Sequence, residues 1–128
     1  MTERGRRATP ATAPATTQPE TPELRRLRGQ IDRLDRRIVR LLNERAALGL
    51  AVGDAKRASG RRAVRDAARE RRVLERVVGA SSGPLPEQDL LAIYRIVIAA
   101  IRRLQHEARA AERSGDAAGT TEGGVARR

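Results

Sequence analysis

The chain has 128 residues, 39% of them hydrophobic, with one Tyr, no Phe or Trp, no Cys and a formal net charge of +11. That length supports one modest domain with an aliphatic core, and the missing cysteines exclude a disulfide framework and a thiolate metal site. No apolar run approaches the ~18 residues of a membrane span and no secretory h-region opens the chain, so the protein is expected in the cytoplasm with no membrane partner.

Residues 1–20, MTERGRRATPATAPATTQPE, read as a disordered Pro/Thr/Ala-rich tail. The helical domain is expected over 21–113. Its first helix starts with Thr21 as N-cap and Pro22 as first helical residue, and it stops near Ser59-Gly60. About 37 residues at 1.5 Å each extend roughly 55 Å, about twice the diameter of so small a globule. Wound at about 100° per residue, Leu27, Ile31, Leu34, Ile38, Leu41, Leu48 and Val52 collect on one stripe. Two shorter helices of the same chain cannot cover such a stripe, so a second copy is required. Gly29, Gly49, Gly53 and Arg45 interrupt a clean coiled-coil seam. A second helix is predicted from Val64 to Val78, closed by GASSGP, and a third from Pro86 to Arg113. Residues 114–128 read as a second flexible tail. The expected fold class is all-α: a three-helix chain with a very long first helix, paired with a second copy of itself.

The faces that should meet in the core carry the wrong residues. Arg45 falls near the middle of the helix 1 stripe, and Lys56 lies only about 20° from it. Glu70 projects from the arc of Val73, Leu74, Val77 and Val78, with Asp66 one turn earlier and Arg69 at the edge. Helix 3 places Gln105 on the face of Leu90, Tyr94, Val97, Ile101 and Leu104. A lone buried charge is prohibitive, and a paired one must offset several kcal/mol of desolvation. One such residue would be an ordinary ion pair; several converging from three helices describe a cation-rich pocket inside an aliphatic bundle.

The charge itself is informative. Residues 24–113 hold 22 of the 27 basic and 11 of the 16 acidic residues, so the whole +11 excess lies there. It could attract phosphates or small polyanions. Nucleic acid is disfavoured as a partner, because stacking aromatics and recognition signatures are missing. Of the basic residues 26 are Arg, and the single Lys is Lys56 on the apolar face, a position that asks for a compact ammonium. With His106 the lone His, no metal site is expected.

The run LRGQIDRLDRRIVRLLNERAALGLAVGDAK, followed by VRDAARERRVLERV and RRLQ, closely resembles the all-α (type II) chorismate mutases. The resemblance covers about residues 24–107, through L-R-x-x-I-D-x-L-D, E-R, V-G-x-x-K, V-R-D-x-x-R-E and L-Q. It implies an intertwined homodimer of three-helix chains and the conversion of chorismate to prephenate by a [3,3] Claisen rearrangement, at the branch toward phenylalanine and tyrosine. No proton moves in that reaction, so no cofactor and no metal are implied. The site must hold the folded conformer and stabilise negative charge growing on the ether oxygen. Position by position, the resemblance makes Arg45 and the partner chain's Arg28 the clamps on the substrate carboxylates. Lys56 would reach a carboxylate and the ether oxygen, with Gln105 as its neutral partner there. Glu70, with Asp66 nearby, would accept the ring hydroxyl, and Arg69 would add a cation near the carboxylates. Asp35 belongs to the motif but is expected to cap or pair within the scaffold.

Two departures stand out. Ile101 occupies a position where the family often has a small hydroxyl or thiol residue, which implies a greasier pocket wall. The loop RASGRRAVRD is slightly long and adds Arg61 and Arg62. An isochorismate-pyruvate lyase on the same fold, or a non-enzymatic basic helical binding module, are the alternatives; the intact V-R-D-x-x-R-E run favours the mutase. Control by an end-product amino acid is expected to need an outside partner enzyme.

Overall fold

The structure, a computed structural model, describes residues 18–60 and 66–119. Three helices follow in chain order: α1 (Pro22–Ala58), α2 (Ala67–Ala80) and α3 (Glu87–Gly119). Among the described residues there is no strand, and no helix is long and apolar enough to cross a membrane. Arg61, Arg62 and the expected start of the second helix at Val64 lie outside the described residues.

Each boundary has a local cause. Thr21 caps α1 as expected: its Oγ1 accepts from the Leu24 N–H at 3.1 Å. At the other end Gly60 adopts a left-handed φ of 72° and donates to the Arg57 carbonyl, while the Ser59 hydroxyl takes the Lys56 carbonyl at 2.9 Å. Asp66, read above as part of a substrate contact, is the N-cap of α2; its Oδ1 accepts from the Arg69 N–H at 2.9 Å. The helix runs past Val78 to Ala80 because neither Gly79 nor Ala80 breaks it before the extended Ser81. Pro86 supplies the first accepting carbonyl of α3, to Asp89 and Leu90.

The end of α3 departs from the sequence expectation. Residues 114–119, assigned above to a flexible tail, continue the helix. The expected stop at Ser114-Gly115 fails because the Ser114 hydroxyl bonds back to the Ala110 carbonyl at 3.0 Å and the helix-favouring Ala117 and Ala118 follow.

By compactness the chain resolves into two units, Met1–Arg36 and Arg37–Arg128. Within the first, the start of α1 exposes Leu24, Leu27, Ile31 and Leu34. Asp35 is exposed in mid-helix, where it caps nothing. The second unit holds the rest of α1 with α2 and α3, and α2 packs closely on α3. There Val73, Leu74, Val77 and Val78 of α2 and Leu90, Tyr94 and Val97 of α3 become half-buried, as their periodicity predicts. Ile101 of α3, 9% exposed, is the only buried hydrophobic residue among those described. Ile38, Leu41, Leu48 and Val52 of α1 stay exposed, Leu48 at 68%.

Candidate active site

Within the second unit, α1, α2 and α3 enclose a cavity of about 360 Å³, a size suited to a small metabolite. Helical spacing explains its lining. On α1, Arg45, Gly49, Gly53 and Lys56 recur at steps of three or four and share one face; on α3 so do Ile98, Ile101, Arg102, Gln105 and Arg109. From α2 come Arg69, Glu70 and Val73, with Asp66 just ahead of the helix.

The charges are arranged unevenly. Among the described residues, six cations line the cavity, Arg45, Lys56, Arg57, Arg69, Arg102 and Arg109, against three carboxylates, Asp54, Asp66 and Glu70. Each carboxylate is already engaged. Asp54 pairs with Arg57, which also reaches Glu112 at 2.5 Å. Glu70 pairs with Arg102, and Asp66 caps α2. Among the described residues, the side chains of Arg45, Lys56, Arg69 and Arg109 have no carboxylate within ion-pair distance. All four line the cavity, and the partial burial of Arg45, Lys56 and Arg109, though not of the exposed Arg69, makes those cations attract an anion more strongly than they would in bulk water.

Gln105 reaches back to α1: its Nε2 donates to the Gly49 carbonyl at 2.6 Å. An amide nitrogen carries two N–H groups, so one is fixed by this bond while the other remains for the cavity. A second hollow, of about 530 Å³, adjoins the first; both are lined by Arg45, Arg69 and Val73, and Leu90 and Tyr94 complete its far side.

The sequence model of chorismate mutase type II matches residues 27–106. The chain belongs to the chorismate mutase type II family. It is 36% identical over 93 residues to a bifunctional chorismate mutase/prephenate dehydratase of Aquifex aeolicus (strain VF5), a match covering 70% of this chain and 25% of that protein. A second bifunctional chorismate mutase/prephenate dehydratase, from Neisseria gonorrhoeae (strain ATCC 700825 / FA 1090), is 41% identical over 71 residues, 56% of this chain and 19% of that one. The chain thus spans a quarter or less of the length of these curated relatives. Its fold is similar to a form II chorismate mutase from Thermus thermophilus, with a TM-score of 0.62 and 27% identity over 66% of this chain and 94% of the other.

Of the residues the chorismate mutase resemblance singled out, seven line one cavity: Arg45, Lys56, Asp66, Arg69, Glu70, Ile101 and Gln105. Arg28 is not among them; it belongs to the first unit, largely exposed and bridged to Glu20 at 2.5 Å. Arg57, Arg102 and Arg109 escaped sequence reasoning because 26 arginines hide any particular one. The usable signal was spacing: Arg102 and Arg109 stand three residues before and four after Gln105, on its own face.

Proposed function

We propose that the chain catalyses the rearrangement of chorismate to prephenate. The observation that carries this is the cavity's excess, among the described residues, of cations without a carboxylate partner beside a fixed neutral amide. A dicarboxylate whose ether oxygen gains negative charge as its C–O bond breaks calls for such a lining. Arg45 and Arg69 would hold the carboxylates and fold the substrate into its reactive conformer. Lys56 would place a compact positive charge between a carboxylate and the ether oxygen, and the second N–H of Gln105 would donate to that oxygen. Glu70, oriented by Arg102, would accept the ring hydroxyl. Asp66 would contribute through its remaining oxygen and by fixing the start of α2, and Ile101 would form the apolar wall beneath the ring.

The active form in this proposal is a homodimer. The apolar stripe of α1 is exposed in the single chain, Ile31, Leu34, Ile38 and Leu48 each at 50% or more, and a second copy would cover it. Arg28 of the partner subunit would then join Arg45, with the second hollow giving it room. A cytoplasmic location accompanies this function.

Incubating the purified chain with chorismate and following its loss together with the appearance of prephenate tests the proposal. Stoichiometric conversion is expected, and a folded chain without turnover would overturn it. Sedimentation at micromolar concentration should show a dimer; a folded, active monomer would remove the partner's arginine from the site.

A further inference from the structure

A glycine in a helix interior costs about 1 kcal/mol relative to alanine, yet Gly49 sits well inside α1. Its surroundings supply the reason. A Cβ built on Gly49 would collide with Cγ2 of Ile101 and lie 3.9 Å from the Ile101 Cβ and 3.8 Å from Gln105 Nε2. The colliding methyl cannot swing aside, because a β-branched residue in a helix is confined to essentially one χ1 rotamer. Gly53, one turn on, is different: its nearest neighbour would be Gln105 Cγ at an ordinary 3.7 Å. The carbonyl of Gly49 is also the group that accepts the Gln105 amide, and Gln105 follows Ile101 by one turn on the same face of α3.

We propose that Gly49 and Ile101 form a knob-and-notch pair that sets the depth of the Gln105 amide in the cavity. The Ile101 methyl fills the space that a side chain at residue 49 would need. That contact brings α3 onto α1 at the separation where the Gly49 carbonyl and the Gln105 Nε2 meet at 2.6 Å. Besides forming part of the cavity wall, Ile101 thus acts as a positioning residue through Gln105, and Gly49 is its counterpart. The catalytic part of this inference rests on the proposed mutase function; the positioning part does not.

The side-chain amide resonance of Gln105 in the ¹⁵N-labelled chain reads the position directly, and kcat with KM reads its consequence. Gly49→Ala should move that resonance and lower kcat roughly 10- to 100-fold with little change in KM, since misplacement by about 1 Å has effects of that order. In an Ile101→Ala background, the same Gly49→Ala change should alter neither by more than about twofold, because the obstructing methyl is gone. Gly53→Ala should leave the amide resonance in place. Ile101→Leu, which lacks the Cγ2 methyl, should lose more kcat than Ile101→Val, which keeps it. Equal losses from Gly49→Ala in both backgrounds, or a folded Gly49→Ala chain with an unmoved Gln105 resonance, would overturn the proposal. Should Gly49→Ala alone fail to fold, the double variant decides: a folded double variant whose Gln105 resonance matches that of Ile101→Ala supports the pair, and failure to fold there as well refutes it. A wild-type chain inert toward chorismate would sink the mutase function while leaving the resonance test intact.

Discussion

Replacing Gln105 with glutamate tests the amide's two bonds at once. In the wild type, Nε2 donates to the Gly49 carbonyl at 2.6 Å. A carboxylate in the same rotamer sets an oxygen with no proton against that carbonyl oxygen, and it presents a second acceptor to the ether oxygen of the substrate. The opposed, half-buried acceptors cost about 1–3 kcal/mol. That penalty on the charged form lifts the carboxyl's titration above the ordinary Glu range, with Lys56 pulling the other way. Protonation removes the negative charge and supplies one O–H, which can serve the Gly49 carbonyl, across about 2.6 Å an ordinary hydrogen bond, or the ether oxygen, but not both at once. The sign follows: a carboxyl titrating higher in the folded chain than in the unfolded one favours folding below the unfolded value. That advantage is lost as pH rises through the folded value. Gln105→Glu should therefore be nearly inactive at neutral pH, with its melting temperature lowered, and should regain part of both on acidification along a single titration. Turnover and circular dichroism recorded together from about pH 4.5 to 8 cover the window. A folded variant with a flat, wild-type-like profile would refute the assignment of Gln105, as would a loss of activity that acid does not repair.

Lys56→Arg should keep its helicity and lose about 10²- to 10³-fold in kcat, because a guanidinium is too broad to put a point charge at the ether oxygen; near-normal turnover would make the sole lysine incidental. Mixing Arg28→Ala chains with Arg45→Ala chains should restore activity, since one of the two shared sites in each mixed dimer regains both clamps; no recovery despite verified subunit exchange would mean that Arg28 does not act across the interface. Arg102→Met removes the arginine from its ion pair with Glu70. Both side chains are partly exposed, at 31% and 22%, so the loss should be modest, about 1 kcal/mol or a melting shift of some 4–8 °C. An unchanged thermal melt would show that the pair contributes nothing measurable.

Helix existence, caps and faces were legible in the chain because they rest on local chemistry. Thr21 before Pro22 marks the start of α1, Gly60 its end, and the 3.6-residue rhythm of Val73, Leu74, Val77 and Val78 marks the packed face of α2. The polar residues interrupting those faces were equally visible, and the cavity gathers Arg45, Lys56, Glu70 and Gln105. Tertiary structure decided how the charges are spent. Which arginine meets Glu70 depends on α3 lying against α2, and 26 arginines give the sequence no means of choosing Arg102. Spacing places Asp66 on the cavity side of α2, where it is found, and the structure adds that its Oδ1 caps the helix by accepting the Arg69 N–H. The end of α3 differs from its reading: Ser114-Gly115 looks like a stop, until the serine hydroxyl bonds within the helix and the chain runs on to Gly119. Gly49 is the sharpest case. Periodicity sees only an absent side chain on the apolar face, whereas the need for that absence comes from a methyl on Ile101, 52 positions along the chain, which only the packed helices bring to it.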